Sequence, residues 1–363
     1  SFPTRRSSDL VSNGEIQLPY TFDENSRPNI YLDGGLLTIN KQQLTNGDIL
    51  HINYKLDISS INYWNSGNVP VDFTKENGFE IGMYSAWFPI EMSKGNFHYE
   101  INVEAPKGYQ ILANGEVSKQ EATKWKVLSN VRQFDIPLII SNRLERKVYN
   151  FNGSIIELSH FGKSQEEVDK LANDIQSILT LYNERFGDVS QTGIMRFAFV
   201  PRDNRASYSR KGFSAINSSG SEIVTFSTIA HEIGHFWWAG ADSASWEDWL
   251  NESFAEFSAL LAIKLKYGDK KYSDRIASFS NMSQNSPPIW GLDRASDIST
   301  LVLYRKGPII LTQAQTKFGK RKFNKVARSL IGLSKKNTNA FLSKVEQITN
   351  KNEREWLEHQ LHQ

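Results

Sequence analysis

The sequence predicts an α+β protein in two parts, a β-sandwich followed by a mainly helical domain. Three observations carry that reading. Residues 11 to 152 hold alternating strand-like runs, among them Ile49–Leu56 and Phe97–Val103, separated by Gly, Asn and Pro turns. From residue 153 to 363 the period changes to that of helices. A length of 363 residues suits two or three domains.

The elements follow in order. Residues 1 to 10, Ser1 to Leu10, read as a translated sequencing adapter and are set aside from the fold; on that reading the natural start is missing and localisation stays open. His51 and His98 fall inside strand patterns and have no ligand spacing, so they are read as structural. A helix is expected over Ser164–Phe186 and a strand over Met195–Val200, then a loop beginning at Gly212. The apolar stretch Ile229–Trp238 reads as a buried helix. A second helix carries Leu250, Phe254, Phe257, Leu261 and Leu265 at helical spacing, with Gly268 as its stop. Pro308 is expected in the first turn of a helix through Ile309, Ile310 and Leu311, leaving Tyr304 just before it.

Composition narrows the function. A formal charge of +2, with Lys and Arg spread along the chain, gives no broad basic field of the kind that nucleic-acid binders use. No apolar run is long enough to cross a bilayer. The absence of Cys excludes disulfides and thiolate ligands; it fits an extracytoplasmic or secreted bacterial protein without excluding the cytoplasm.

The chemistry is concentrated at His231-Glu232-Ile233-Gly234-His235. Residues four apart share one face of a helix, so His231 and His235 can aim ring nitrogens at a single metal while Glu232 sits beside it. A buried helix needs a reason to hold two His and a Glu, and metal ligation supplies one. Hydrolytic zinc sites use three protein ligands and keep one position open. Glu252, on the polar side of the second helix, is the candidate third ligand for one Zn2+ per chain. Glu256, one turn on, either fixes the tautomer of a ligand His or is a solvated carboxylate.

These words resemble the aminopeptidase N family, the gluzincin zinc metallopeptidases that include leukotriene hydrolase. The shared text is the pentapeptide followed by Trp249-Leu250-Asn251-Glu252-Ser253-Phe254-Ala255-Glu256-Phe257. Sixteen residues separate His235 from Glu252, two fewer than is usual in the family, which places the shortening in the connection Gly240 to Ser245. Tyr304-Arg305-Lys306-Gly307 is similar to the family's Tyr-x-Lys-Gly element, whose tyrosine stabilises the tetrahedral intermediate. Trp87-Phe88-Pro89 and Ala113-Asn114-Gly115 resemble words of its saddle-like N-terminal domain. The resemblance implies a thermolysin-like catalytic domain over residues 153 to 363, a peptide substrate, and a form lacking the family's C-terminal helical domain.

The family's Gly-x-Met-Glu-Asn loop, whose Glu binds the substrate's free amino end, is matched here by Gly212-Phe213-Ser214-Ala215-Ile216-Asn217. Gly212, Ala215, Ile216 and Asn217 are therefore the expected substrate-binding residues. Ile216 stands where the carboxylate should be and cannot neutralise an ammonium group. Glu222 is the nearest substitute that the sequence offers. The resulting expectation is an aminopeptidase-like peptidase with altered recognition of the N-terminus. Glu232 acts as general base and later returns its proton to the leaving amine, Tyr304 braces the oxyanion, and Glu256 and Asn251 support the ligands. An endopeptidase or other amide hydrolase on the same site, and an inactive zinc-bearing binding module, are the alternatives.

Overall fold

The computed structural model describes residues 10–12, 16–26, 35–40, 49–55, 78–90, 95–188, 193–200 and 206–363. Most of the adapter-like leader and Leu56, the last residue of one expected strand, lie outside them. The chain divides into two compact units, Ser1–Glu145 with Pro201–Ala206, and Arg146–Val200 with Ser207–Gln363.

The described strands of the first unit are β1 (Leu10–Ser12), β2 (Tyr20–Asp23), β3 (Leu36–Ile39), β4 (His51–Asn53), β5 (Gly78–Ile81), β6 (Phe97–Glu104), β7 (Gln110–Ala113), β8 (Glu116–Lys119), β9 (Lys124–Gln133) and β10 (Leu138–Ser141). They pair as β1–β4, β2–β3, β5–β10–β7 and β6–β9–β8. Ile81, Ile111, Leu138 and Ile140 from one three-stranded sheet share a core with Tyr99, Trp125 and Val127 from the other. Strands β6 and β9 alternate and so bury one face, whereas β5, β7 and β10 are buried at nearly every position. His51 and His98 are exposed. The two short words read in this region have structural partners: the Trp87 indole donates to the Ile136 carbonyl at 3.0 Å, and the Tyr99 hydroxyl donates to the Asn114 carbonyl.

Strand β11 (Glu145–Phe151) hydrogen bonds in the sheet of the second unit, whose first residue is Arg146. The five-stranded sheet has the order β11–β12–β13–β15–β14, with β12 (Ser154–His160), β13 (Ile194–Val200), β14 (Tyr208–Arg210) and β15 (Phe213–Asn217). Strands β12, β13 and β15 run parallel, and β14 and β15 form a hairpin in which Gly212 takes φ of 73°, in the left-handed region that favours glycine. The segment read as a loop after Gly212 is therefore a strand. Its short apolar run is buried at every position, the pattern of an inner strand with no polar face.

Helix α1 (Gln165–Phe186) starts as the sequence indicates. Ser164 and Glu167 form a reciprocal capping box, and Val168, Ala172, Ile175, Leu179, Tyr182 and Phe186 face the core. Helices α2 (Glu222–Gly234) and α3 (Trp249–Ser283) follow. Gly268 has φ 81° and ψ 177°, so the helical geometry breaks there as read, but a second helical stretch resumes at once and runs to Ser283. Helix α4 (Ser299–Leu301) passes through a π-helical turn (Val302–Lys306) into α5 (Gly307–Phe318), and α6 (Lys320–Ile331), α7 (Thr338–Ile348) and α8 (Lys351–His362) complete the unit.

Candidate metal centre

Helices α2 and α3 come unusually close because both are trimmed where they meet. A Cβ built on Gly234 would lie 3.0 Å from the Ala255 Cα and 3.3 Å from its Cβ. The Gly of the pentapeptide and the Ala of the following word are thus one packing contact, and it brings Glu252 up to the two histidines. Tyr182 of α1 braces the same place, its hydroxyl donating to the Ala230 carbonyl at 2.9 Å.

Three atoms then converge. His231 Nε2 lies 3.2 Å from His235 Nε2 and 3.2 Å from Glu252 Oε2, and His235 Nε2 lies 3.5 Å from the same oxygen. Donors on a tetrahedron of zinc-bond radius, about 2.0–2.2 Å, are about 3.3–3.6 Å apart, so the triangle matches three corners of such a site. The proton inventory points the same way. His235 Nδ1 lies 3.1 Å from the Trp238 carbonyl, which can only accept, so the ring proton sits on Nδ1. His231 Nδ1 likewise donates to Glu256 Oε2 at 3.0 Å. With each ring neutral and its one proton on Nδ1, both Nε2 atoms present lone pairs to one another and to the buried Glu252 Oε2. With no cation between them, burial is outweighed by the Glu252 and Glu256 carboxylates, which raise the pKa of His231, and Glu252 does the same for His235. Three lone pairs facing one point in a buried site call for a cation. His231, His235 and Glu252 form the one group of potential metal ligands of this kind among the described residues.

Glu256 lies within hydrogen-bond distance of His231 Nδ1, at 3.0 Å. It is buried rather than solvated. Burial works to raise its pKa, but the His231 hydrogen bond and the Arg305 and Arg275 charges hold the carboxyl below its ordinary value. Arg305 Nη1 lies 3.4 Å from Glu256 Oε1 and also donates to the Tyr304 carbonyl at 2.8 Å. Burial, offset only in part by the two histidines, raises the Glu232 carboxyl above its usual range. Asn251 has a different place from the one expected. Its amide clasps the backbone of Ala241 from both sides at 3.1 Å, and bonds Asp248 at 2.8 Å. It thereby fastens the interhelical connection one residue ahead of Glu252.

Tyr304 is not in front of a helix but inside one, in the π-turn. Pro308 removes an N–H that would have bonded the Tyr304 carbonyl four residues back, and the chain widens its turn instead of stopping. The carbonyls so released are met by side chains: Arg305 reaches that of Tyr304, and Ser253 Oγ donates to that of Leu303 at 2.7 Å. A Cβ on Gly307 would lie 1.9 Å from Ser253 Oγ, so only glycine fits there. The Tyr304 ring stacks on His231 with centroids 5.4 Å apart. Burial, reinforced by the Glu252 charge, holds its phenol well above its usual pKa and keeps it a proton donor.

The residues proposed for substrate contact are placed less favourably. Ile216 is fully buried within the apolar core and pairs in register with Phe199 of β13. A carboxylate there would be taken out of water at a cost of several kcal/mol. Ala215 is also fully buried, and the Asn217 side chain accepts from the Ser219 N–H at 2.8 Å. Glu222 is exposed and paired with Lys170 at 2.9 Å. It lies nine positions before His231 on the same helix, roughly 13 Å along the axis. Arg305, Arg294 and Ser253 were not singled out from sequence. Arg294 binds the buried Asp248 at 2.8 Å.

Comparison with a family model covers the same residues. Residues 214–358 match the model of the peptidase family M1 domain. Human endoplasmic reticulum aminopeptidase 2 is 24% identical over 121 residues, 30% of this chain and 13% of that protein. Aminopeptidase M1-B of Oryza sativa subsp. japonica is 24% identical over 128 residues, 32% of this chain and 15% of that protein. The matched stretch is thus a small part of either relative. Among solved structures, an M1 zinc metallopeptidase from Deinococcus radiodurans superposes with a TM-score of 0.69 at 15% identity, over 99% of this chain and 83% of that one. Leukotriene A4 hydrolase from Saccharomyces cerevisiae superposes with a TM-score of 0.68 at 15% identity, over 99% and 59%. The α+β architecture, a β-rich part followed by a helical one, is that of these enzymes.

Proposed function

We propose that this chain is a zinc-dependent peptidase, with His231, His235 and Glu252 holding one Zn2+. The observation that carries the reading is the convergence of three potential ligand atoms within 3.5 Å of one another, beside which the buried Glu232 follows His231 in the same helix turn. A zinc ion held there supplies Lewis-acid chemistry toward a carbonyl group and a water molecule. Glu232, its proton affinity raised by burial, takes the proton from the attacking water and returns it to the leaving amine. Tyr304, protonated and stacked on a ligand histidine, donates to the oxygen on which charge develops. Glu256, with Arg305 behind it, fixes the His231 ring.

The substrate is a peptide. The family match and the named relatives support this, and a metallopeptidase of the same fold from Deinococcus radiodurans has been captured with the substrate Tyr-Ser-Ala. The finer reading is aminopeptidase-like action with weakened selection for a free amino end. It rests on Ile216, an apolar core residue at the position the sequence resemblance assigns to an amine-binding carboxylate, and on Glu222 facing solvent and Lys170. An endopeptidase on the same site is the second reading, favoured by the same two residues. An inactive binding module would not need both Glu232 and Tyr304.

The test is a mixed peptide library, with free and acetylated N-termini, digested by metal-loaded protein and read by mass spectrometry. Cleavage of both sets, at reduced preference for the free set, is the expected result. Removal of single N-terminal residues with outright rejection of acetylated peptides would refute the altered specificity. No cleavage at all by zinc-loaded protein would refute the peptidase reading itself.

A further inference from the structure

The near-neutral total of +2 conceals a sharp asymmetry. Between Asp297 and Glu346 the sequence has 11 Lys and Arg and no acidic residue, so the rest of the chain sums to −9. The spread of Lys and Arg read from composition is therefore uneven, and the structure shows where the excess lies.

Helix α6 buries Phe323, Val326, Ala327 and Leu330 and turns the opposite side to solvent. Arg321, Lys325 and Arg328 are one turn apart on that side, with Lys320 and Lys322 flanking them. Arg328 is partly committed, donating to the Glu184 and Arg185 carbonyls at 3.0 and 3.2 Å, where it caps the end of α1. The others are exposed, and among the described residues none is in ion-pair distance of an acid. Helix α6 packs against α1, α5 and α7; the acid at the end of α7, Glu346, lies 3.7 Å from Arg354.

We infer that the exposed face of α6 is an electrostatic docking surface for an anionic lipid bilayer. The apolar face of the helix is spent in the core, so the contact is by charge and not by insertion. Three of the four uncommitted cations, Lys320, Lys322 and Lys325, are lysines, with Arg321 the one guanidinium, and ammonium groups on flexible stems suit a diffuse field of phosphates rather than forked recognition of one group. The sole aromatic ring of the helix, Phe323, is buried, which leaves no exposed stacking platform for nucleic-acid bases on it. Adsorption of this kind brings the peptidase site to a surface without any spanning segment. It is independent of the metal centre and of the reading of its activity.

The experiment is co-sedimentation of the full chain with vesicles of phosphatidylcholine alone and of phosphatidylcholine mixed with phosphatidylglycerol. Binding to the mixed vesicles only, weakening as salt rises, is expected. The triple variant Arg321→Gln, Lys322→Gln, Lys325→Gln should lose about a hundredfold or more in partitioning, since each cation near a charged surface contributes about tenfold or somewhat less. A control variant of equal net charge, Lys107→Gln, Lys147→Gln, Lys271→Gln, should bind as the parent does. Equal binding to neutral vesicles, an unaffected α6 variant, or an equal loss in the control would each overturn the inference. So would displacement from vesicles by an oligonucleotide at equal phosphate concentration, which would assign the face to nucleic acid. The substituted side chains are all exposed, and an unchanged melting curve separates lost binding from lost folding.

Discussion

Replacing Arg305 with Met should weaken metal binding although Arg305 touches no proposed ligand. The guanidinium lies 3.4 Å from Glu256, whose other partners are His231 at 3.0 Å and Arg275 at 3.9 Å. Glu256 is buried, with 6% of its surface exposed, so stripping its nearest cation is costly. Breaking a buried pair outright costs about 3–5 kcal/mol. Arg275 stays as a longer, partly solvated partner, so the loss here is nearer 1–3 kcal/mol. Part of it falls on the His231 hydrogen bond, because a Glu256 that ionises less readily is a poorer acceptor. Changes to the groups that orient a ligand histidine typically lower metal affinity about 10–100-fold. About tenfold is expected for Arg305→Met, and more for Glu256→Gln.

The assay is zinc affinity by competition with a chromophoric chelator, together with the rate of metal release. Cobalt substitution adds a spectrum that reports ligand geometry. Arg305→Lys should restore part of the affinity, since an ammonium supplies the charge but not the reach to both Glu256 and the Tyr304 carbonyl. In a double-mutant cycle the Arg305 effect should largely vanish in the Glu256→Gln background. If Arg305→Met retains parental affinity while Glu256→Gln loses tenfold, or if the two effects add fully, the guanidinium does not act through Glu256 and the reasoning fails.

Other expectations follow from the same geometry. His235→Ala should abolish stoichiometric metal, read by elemental analysis, because two donors cannot hold the ion. Glu232→Gln should retain zinc yet lose turnover by about a hundredfold or more, and Tyr304→Phe should lose a similar factor in kcat with a smaller change in KM. Gly307→Ala, which forces a Cβ within 1.9 Å of Ser253 Oγ, should cost about 1–3 kcal/mol in thermal or denaturant unfolding. Burial, and then its hydrogen bond to Asp169, push the Tyr149 phenol up to about 12 from a reference near 10. A raised pKa means stability that is fully present below about pH 10 and lost as pH rises through about 12, so Tyr149→Phe should flatten alkaline unfolding in that window.

What the sequence shows well is whatever depends on one helix. The four-residue spacing of His231 and His235, and the further turn from Glu252 to Glu256, are properties of an α-helix before any packing occurs, and the structure brings all four together. What it shows poorly is whatever depends on two segments meeting. Arg305 reaches Glu256 across 49 positions, and its role is written in neither segment alone. Asn251 sits in the most recognisable word of the chain, yet its amide holds a backbone ten residues earlier. Ile216 looks like a loop residue lining a subsite only while strand β13 is out of view. Tyr304 shows how a correct cue yields the wrong local structure. Pro308 does remove a helical hydrogen bond, but Arg305 and Ser253 satisfy the freed carbonyls, so the helix bulges into a π-turn instead of ending. That bulge depends on Gly307, because the close approach of Ser253 that caps Leu303 is possible only where no side chain intervenes. The Gly of Tyr-Arg-Lys-Gly is thus tied to the position of its Tyr through a helix some fifty residues earlier, a dependence no single-sequence motif can display.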